Sequence, residues 1–347
     1  MKGEYILEKK IDLYLISGFL GSGKTTFLQN MLKNLVGRKV GVLINEFGSI
    51  GIDGRLIEKE GIELIEINNG SIFCSCLKGS FIKALIELSK LDIDLLLIEN
   101  SGMADPSNMH QILDELKNKT CRFLNYKGAV CIVDSVNFLK LVRVLAPVQN
   151  QIASSNFIII NKIDKADQSM VMEIEKKIHA INLSAFIYKT IYSEVPIPVL
   201  EDKLIDNGYL GETSNRISSR PATYSLESDE IFIEEKIKKF IQIIENYTFR
   251  IKGFMKNSNG WWRVDVVDGD IKVFEAEPGI KDIFIASKLV LVGKNTAGFK
   301  KEILKAWESV FDKKPMIYND FDGCQINIQK KRRSSHEFKT VSIRCSL

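Results

Sequence analysis

Residues 11–26, IDLYLISGFLGSGKTT, decide the fold of this chain. The first half of the stretch is an apolar run that predicts a buried strand, and a glycine-rich turn then opens a helix near Lys24. The turn has the spacing G-x-x-x-x-G-K-T from Gly18 to Thr25, and its glycines let successive N–H groups point at the oxygens of a polyphosphate. We therefore expect an α/β fold whose doubly wound, mostly parallel sheet binds a nucleoside triphosphate at this turn, the P-loop.

The P-loop sequence predicts a role for each of its polar residues. Lys24 neutralises the β- and γ-phosphates as a catalytic residue, the Thr25 hydroxyl is a ligand for Mg²⁺, and Thr26 reaches the α-phosphate. The predicted nucleotide-contacting residues of the turn are Gly21, Ser22, Gly23, Lys24, Thr25 and Thr26.

The bulk composition is typical of a globular protein with two domains. The chain has 347 residues, of which 45% are hydrophobic and 27% are charged, enough for a sizeable buried core. The formal net charge of +4 is too small to indicate nucleic-acid binding, and no apolar stretch approaches the roughly 20 residues that span a bilayer. Acidic residues near the N-terminus interrupt the apolar region that a signal peptide needs. We expect a cytoplasmic protein with no nucleic-acid or membrane partner.

A glycine-rich loop is predicted directly after the second strand. That strand covers residues 40–45, and it runs into NEFGSIGID at residues 45–53. In a doubly wound sheet, a loop at the carboxyl end of a strand is where a switch segment lies. Its acids are candidate metal ligands, Asp53 for Mg²⁺ and Glu46 for Zn²⁺ or Co²⁺. A solvated loop without ligands is the alternative for either acid.

Cysteines at two positions form a close pair. Six cysteines are scattered along the chain, too widely for a disulfide framework. Only Cys74 and Cys76 are close enough in sequence to indicate a chemical role. They precede a helix predicted at about residues 80–88, whose dipole lowers a thiol pKa and favours the metal-binding thiolate. Two thiolates cannot complete a tetrahedral Zn²⁺ site, so a third ligand has to come from another loop or a client protein. The alternative is a structural role in a turn.

A central strand delivers an acid to the predicted site. The run LDIDLLLIE at residues 91–99 is nearly continuous in aliphatic residues, as expected where both faces of a strand are covered. Glu99 ends this run, and in P-loop proteins an acid at that position holds Mg²⁺ and can orient the attacking water. Glu99 is therefore a predicted catalytic residue and Mg²⁺ ligand. Gly102, in the next loop, is placed to sense the γ-phosphate with its N–H group.

The motif NKID, residues 161–164, follows another buried strand and suits guanine. The Asp164 carboxylate can accept from both N1–H and the exocyclic amine, the Lys162 stem lies along the ring, and Asn161 ties the loop to its neighbours. Adenine lacks this donor pair, and each unpaired polar group costs about 1–3 kcal/mol, so we expect GTP to be preferred over ATP by roughly 10²-fold or more. Ala185 is a candidate to donate its backbone N–H to guanine O6.

The composition shifts to Pro, Gly, Asn and Ser after these motifs, which indicates a domain boundary. We place a P-loop GTPase domain at residues 1–200, a linker at 201–220, a smaller α+β domain at 221–315 and a basic, irregular tail at 316–347. The α+β domain is predicted from its alternation of strands with two helices, and its sequence shows no catalytic constellation.

Taken together, the motifs resemble those of the CobW-like GTPases, metallochaperone-type P-loop proteins related to the GTPases that mature urease and hydrogenase. The matching motifs are SGFLGSGKTT at residues 17–26, NEFG at 45–48, NNGSIFCSC at 68–76, IENSGMADP at 98–106 and NKID at 161–164. Glu99 matches the glutamate that marks this group. FRIKGF at residues 249–254 and LVLVGK at 289–294 resemble the CobW-like C-terminal domain.

This resemblance implies a protein that binds Mg-GTP, hydrolyses it slowly, and uses the nucleotide state to hold or deliver Zn²⁺ or Co²⁺ to a client metalloprotein. Separately, the exposed loops predicted from the sequence would allow a nucleotide-dependent homodimer. Family members usually carry C-x-C-C directly after Asn-Gly. This chain has Ser71, Phe73 and Cys74 at the three thiol positions, and Cys76 two residues later.

Two other functions fit part of the same pattern. A GTPase chaperone or activator of a corrinoid-dependent or other cofactor-dependent enzyme would use the cysteines structurally, and its turnover would respond to a client protein and ignore free metal ions. A P-loop kinase that phosphorylates a small molecule is disfavoured, because such kinases rarely need a guanine-binding motif and no dedicated acceptor base stands out.

Overall fold

The computed structural model describes residues 10–35, 37–46, 62–68, 78–206, 208–209, 222–267, 269–276, 286–294, 298–319, 325–331 and 340–346. The chain forms two compact units, and each is described by itself. The first comprises Met1–Glu46, Gly51–Arg216 and Ile326–Arg344, and the second consists mainly of Ile217–Gln325.

The first unit alternates strands with helices, as a parallel sheet with crossover connections requires. Its strands include β1 (Ile11–Gly18), β2 (Val40–Glu46), β3 (Ile62–Asn68), β4 (Leu95–Glu99), β5 (Leu124–Asp134), β6 (Phe157–Asn161) and β7 (Phe186–Lys189). Its helices include α1 (Lys24–Asn34), α2 (Lys78–Ser89), α3 (Met109–Leu116), α4 (Phe138–Val144), α5 (Ala146–Ala153), α6 (Gln168–Ile181) and α7 (Ile197–Lys203).

These strands pair in the order β3-β2-β4-β1-β5-β6-β7, and each of the pairings is parallel. β1 lies between β4 and β5, where Leu15 aligns with Ile98 on one side and Ala129 on the other. The carboxyl ends of the strands therefore meet at one edge of the sheet, which brings the loops after β1, β4 and β6 together. The doubly wound parallel sheet predicted from the sequence is confirmed.

Both faces of this sheet are covered, which explains the continuous aliphatic runs of its central strands. Leu15 of β1 packs in one cluster with Phe81 of α2, whereas Ile16 packs in the opposite cluster with Phe27 of α1. All four side chains are at most 1% exposed. The strand that leads into the P-loop is thus fixed from both sides, and the loop starts from a rigid base.

The second unit is an antiparallel sheet with helices on one face. Its strands include β8 (Thr223–Ser228), β9 (Thr248–Lys256), β10 (Trp261–Val267), β11 (Asp270–Glu275), β12 (Ser287–Gly293) and β13 (Met316–Asn319), and its helices include α8 (Glu234–Ile244) and α9 (Phe299–Glu308). The strand order is β11-β10-β9-β12-β8-β13, with antiparallel pairings throughout. The smaller α+β domain predicted from the sequence is confirmed. None of the helices in the described ranges has the length and apolar character of a membrane span.

Two further strands, β14 (Gln325–Lys331) and β15 (Thr340–Ser346), extend the first sheet, and β15 pairs in parallel with β3. β13 also lies in the stretch for which the sequence predicts irregular structure, so strands replace much of that expected tail. The physical reason is local. Val341 and Ile343 alternate with polar residues, which suits a strand, and the edge of β3 offers backbone partners.

Candidate functional site

The P-loop joins β1 to α1 at the carboxyl edge of the first sheet. Gly18 and Gly23 both have positive φ angles, 134° and 112°. A Cβ atom on Gly18 would lie 2.3 Å from the Ile132 carbonyl oxygen, and one on Gly23 would lie 2.5 Å from Asn161 Nδ2. Both backbone angles favour glycine. Gly18 is also crowded by the backbone of β5, and Gly23 by the side chains of Asn161 and Ser193.

Lys24 begins α1 and lies across the loop that precedes it. Its ammonium group donates to the carbonyl oxygens of Gly18 and Phe19, each at 2.9 Å, and the residue is only 7% exposed. A buried ammonium needs hydrogen-bond partners, and the loop carbonyls supply them. The positive charge is thereby held inside the ring of backbone that the sequence predicts as the phosphate site.

Thr25, in the first turn of α1, faces Glu99, the last residue of β4. The Thr25 hydroxyl donates to Glu99 Oε1 at 3.0 Å, and the pairing of β1 with β4 aligns Glu99 with Ile16. Glu99 is 6% exposed. A hydroxyl beside a carboxylate is the hard-oxygen donor set that Mg²⁺ takes up together with phosphate oxygens and waters. The residues present therefore fit the expected cation.

Buried polar atoms around the P-loop support a ligand at this edge. Within the part of the chain that the structure describes, the Ser17, Ser22 and Ser101 hydroxyls and both amide atoms of Asn100 have no hydrogen-bond partner. Asn100 follows β4, and its backbone N–H donates to the Ile16 carbonyl at 2.9 Å. An unsatisfied buried polar group costs about 1–3 kcal/mol. A polar ligand such as a polyphosphate would supply the missing hydrogen-bond partners at this edge of the sheet.

Gly102 lies against the P-loop. A Cβ atom placed on it would be 2.6 Å from the backbone nitrogen of Leu20, and the residue is buried. The loop after β4 is thus in backbone contact with the loop after β1. This is the geometry that lets an N–H group of one loop respond to a phosphate held by the other.

Asn161 and Lys162 tie the end of β6 to the same loop. Asn161 Nδ2 donates to the Ser22 carbonyl at 2.8 Å, and Lys162 Nζ donates to the Gly21 carbonyl at 2.9 Å. Lys162 has a positive φ of 61°, which turns the chain sharply after the strand. Asp164 follows in a short 3₁₀-helix, Ile163–Lys165, and is exposed. The structure therefore brings the NKID loop and the P-loop together.

Asp134 was not identified from the sequence. It ends β5 and accepts a hydrogen bond from Lys162 Nζ at 2.6 Å, while its other oxygen accepts from the Val136 N–H at 2.9 Å. It fixes the lysine stem that the sequence predicts beside the purine ring. The available signal was an acid that closes a buried aliphatic strand, the same signal that identified Glu99.

The Ala185 prediction places that residue at the wrong edge of the sheet. Ala185 immediately precedes β7, and because the sheet is parallel, the amino end of β7 lies opposite the edge that carries Asn161. The loop that does reach the site follows β7. There Ser193 donates its N–H to Asn161 Oδ1 at 2.9 Å and its hydroxyl to the Gly23 carbonyl at 3.2 Å. Tyr192 and Ser193 have positive φ angles of 53° and 54°, which no sequence pattern indicated.

Most of the transition-metal ligands predicted from the sequence lie where the structure does not describe the chain. Glu46 ends β2, whereas Asp53, Cys74 and Cys76 lie outside the described residues. In the described ranges, no group of three or more His, Cys, Asp or Glu residues could hold a metal ion. The cysteine metal site and the Asp53 magnesium ligand therefore stay predictions.

Comparison with known proteins agrees with this arrangement. Residues 12–189, just over half of the chain, match the family described as CobW/HypB/UreG, nucleotide-binding domain. The zinc chaperone YjiA of Escherichia coli is 30% identical over 216 residues, which cover 61% of this chain and 66% of YjiA. The zinc-regulated GTPase metalloprotein activator 1 of Saccharomyces cerevisiae is 27% identical, and the match covers 83% of this chain and 81% of the yeast protein.

The zinc chaperone CobW of Pseudomonas aeruginosa is 28% identical, with 63% of this chain and 65% of that protein covered. The chain thus spans just under two thirds of the length of YjiA and of this CobW. The matched region contains the P-loop, Glu99 and the NKID loop, the same elements that the structure brings together. The chain therefore belongs to the CobW/HypB/UreG family, with residues 12–189 as its nucleotide-binding domain.

Proposed function

We propose that this protein is a GTPase that binds Mg-GTP, hydrolyses it slowly, and couples its nucleotide state to the binding or delivery of a divalent metal, zinc or cobalt, to a client metalloprotein. One observation supports GTP binding in this proposal: the NKID loop is hydrogen-bonded to the P-loop. Lys162 and Asn161 of the NKID loop both donate to P-loop carbonyls, so purine and phosphate sites would form as one unit.

The nucleotide is held by backbone and side-chain groups with separate tasks. N–H groups of Gly21, Ser22 and Gly23 bind phosphate oxygens, and Thr26 reaches the α-phosphate. Asp164 accepts from the guanine N1–H and amine. Because the Asp164 carboxylate is exposed at the edge of the site, it is accessible to an incoming base.

Hydrolysis uses the groups around Lys24. Thr25 and Glu99 would hold Mg²⁺, which would supply positive charge to neutralise the phosphate oxygens. Lys24 stabilises the charge that develops as the bond between the γ-phosphorus and its bridging oxygen breaks. Glu99 orients the water whose oxygen forms the new bond to phosphorus. GDP leaves with the bridging oxygen, and the proton that the water loses passes to the released phosphate. Gly102 contributes an N–H group whose partner is lost when phosphate departs.

The metal part of the proposal is supported by the relatives. The names of YjiA and CobW describe zinc chaperones, and the name of the yeast protein describes a zinc-regulated GTPase that activates metalloproteins. We propose Cys74, Cys76 and Glu46 as ligands for the carried metal and Asp53 as a further Mg²⁺ ligand. The proposal includes a cytoplasmic location and a homodimer that depends on the bound nucleotide.

A zinc titration tests the coupling of nucleotide and metal. The reduced, metal-free chain is titrated with Zn²⁺ in the presence of Mg-GTP and, separately, of Mg-GDP. We expect the two dissociation constants to differ by about tenfold, a typical coupling between two sites. The double variant Cys74→Ser, Cys76→Ser should lose the difference. Cys121→Ser, which removes an exposed thiol elsewhere, is the matched control and should retain it.

Equal zinc affinities in the two nucleotide states would contradict metal carriage by this chain. If GTP turnover then rose on addition of a client protein and stayed unchanged with free Zn²⁺, the chain would act as a GTPase chaperone of a cofactor-dependent enzyme instead.

A further inference from the structure

Gln151 of α5 holds the loop that contains Gly102. Its side-chain amide donates to the carbonyl oxygen of Gly102 at 3.1 Å and to that of Ala104 at 2.9 Å. Gln151 is 1% exposed. A primary amide has two N–H groups, so both donors of this side chain are directed to one short stretch of backbone.

Asn150, the neighbouring residue on α5, forms a hydrogen bond to the same loop further along. Asn150 Nδ2 donates to Asp105 Oδ2 at 2.6 Å, and Asp105 Oδ1 accepts from the Ser107 N–H at 2.9 Å. The helix end that carries both donors is itself anchored, because Ser155 Oγ donates to the Gln151 carbonyl at 2.6 Å. One fixed helix end therefore holds the loop after β4 at successive points.

These hydrogen bonds hold the loop after β4 at the point where it contacts the P-loop. Gly102 lies against Leu20 of the P-loop, and its carbonyl oxygen accepts the hydrogen bond from the Gln151 amide. Phe19, Leu20 and Gln151 also line one small pocket between the P-loop, α4 and α5. The Gly102 backbone cannot rotate about its own bonds without breaking the hydrogen bond from Gln151 to its carbonyl. The orientation of this residue is thus set by a side chain that lies 49 positions away in sequence.

From this arrangement we infer that Gln151 is a positioning residue for the γ-phosphate. It holds the Gly102 loop against the P-loop so that a triphosphate, and not a diphosphate, gains a contact from that loop. The inference rests on the proposed GTPase function. GDP has no γ-phosphate, so its affinity should not depend on the hydrogen bonds from Gln151 to this loop. The quantity that Gln151 controls is therefore the ratio of GTP affinity to GDP affinity.

A structural role alone predicts a different outcome, and the chain offers a matched control. Asn182 also directs one buried side-chain amide to backbone carbonyls of this region, those of Ile152 at 3.0 Å and Ser155 at 2.8 Å. It follows the last residue of α6, and within the described residues none of its side-chain hydrogen bonds goes to a loop of the nucleotide site. Removing either amide costs stability, but only the Gln151 amide should change discrimination between nucleotides.

The test uses the full chain with Gln151→Met and Asn182→Leu, each close in shape to the original residue and without donors. Dissociation constants for Mg-GTP and Mg-GDP are measured by calorimetry, with kcat and KM for GTP. For Gln151→Met we expect the GTP dissociation constant to rise about tenfold, the effect of one lost hydrogen bond to a charged oxygen, with GDP affinity unchanged. Asn182→Leu should keep the wild-type affinity ratio although its Tm falls.

Gln151→Asn, which shortens the side chain by one methylene, serves if the Met variant fails to fold, and it should shift the ratio in the same direction. A wild-type ratio in the Gln151 variant that folds, or an equal shift in Asn182→Leu, would overturn the inference while leaving the GTPase assignment intact. Absence of GTP binding by the wild-type chain would overturn the proposed function and the inference together.

Discussion

At the scale of single residues, the site depends on a few polar side chains whose partners are backbone carbonyls. Lys24, Asn161 and Lys162 each donate to a carbonyl of the P-loop, and Ser193 does so from a fourth position. Backbone carbonyls are fixed in space more tightly than side chains, so these contacts set the loop shape before a ligand arrives. Preorganisation of this kind lowers the entropy cost of binding a polyphosphate.

Substitution of Gly23 tests whether that shape is required. In Gly23→Ala the new methyl group would lie 2.5 Å from Asn161 Nδ2 and 2.6 Å from Ser193 Oγ, so these two side chains have to shift from the positions in which they bind the P-loop carbonyls. We expect GTP affinity, measured by calorimetry, to fall by at least about tenfold, because the P-loop and the NKID loop would no longer be held in the same relative position. Gly37→Ala is the control, since Gly37 also has a positive φ, 82°, but has no atom within 4 Å of its Cβ position. Equal losses in both variants would show that backbone strain alone is responsible.

Cys131 offers a second test at this scale, because its thiol is buried under the P-loop. Burial raises the pKa of the Cys131 thiol to about 12, with the nearby Lys24 charge opposing the shift. At pH 8 the reactive thiolate is then about one part in 10⁴, since thiolate fraction follows pKa. Iodoacetamide followed by mass spectrometry should modify the exposed Cys121 in the native chain and leave Cys131 intact until the chain is unfolded. Equal labelling of the two native cysteines would contradict the buried position of Cys131.

At the scale of helices and strands, much of the architecture was predictable because buried parallel strands have a strong signature. β1, β4 and β6 are all short aliphatic runs, and each ends in a polar motif that the sequence identified. The predicted start of β4 at residue 91 was early, since the ladder begins at Leu95 after Asp92 and Asp94. Acidic residues are disfavoured in a buried strand, so the strand begins after them. Sequence periodicity alone does not resolve such a boundary.

Other parts of the site could not be predicted from the sequence. Gln151 acts through carbonyl groups 47 and 49 positions away, and no local pattern distinguishes it from an ordinary helix residue. The spacing around Ala185 does not show which end of β7 faces the site, whereas the parallel pairing of β7 with β6 does. Contacts that depend on tertiary packing leave no trace in spacing or composition.

The helices of the second unit allow a test of its core. Trp307 of α9 is 1% exposed, and its ring lies 5.3 Å from Phe240 of α8 and 4.4 Å from Phe311. Removal of a buried aromatic side chain costs about 3–5 kcal/mol, so Trp307→Ala should lower the free energy of unfolding by that amount in urea titrations followed by circular dichroism. Phe274→Ala, at a ring that is 45% exposed, should cost less than about 1 kcal/mol. Similar costs for the two variants would show that this aromatic cluster does not support the unit.

At the scale of the whole molecule, the chain combines a nucleotide-binding unit with a second α+β unit that carries no group of metal-binding side chains within its described residues. Order of motifs, parallel topology and family membership all agree for the first unit. The C-terminal stretch is where sequence composition misled, since β14 and β15 extend the first sheet although the segment is rich in basic residues. Net charge describes solubility and partners, and it does not determine whether backbone groups find a strand edge.

We propose that one site holds a triphosphate on the P-loop and selects guanine through Asp164. The decisive measurement is isothermal titration calorimetry of the full chain with Mg-GTP and with Mg-ATP. We expect Mg-GTP to bind at least roughly 10²-fold tighter than Mg-ATP, because adenine leaves the Asp164 carboxylate without its two donors. Equal affinity for the two nucleotides, or no heat with Mg-GTP, would contradict it.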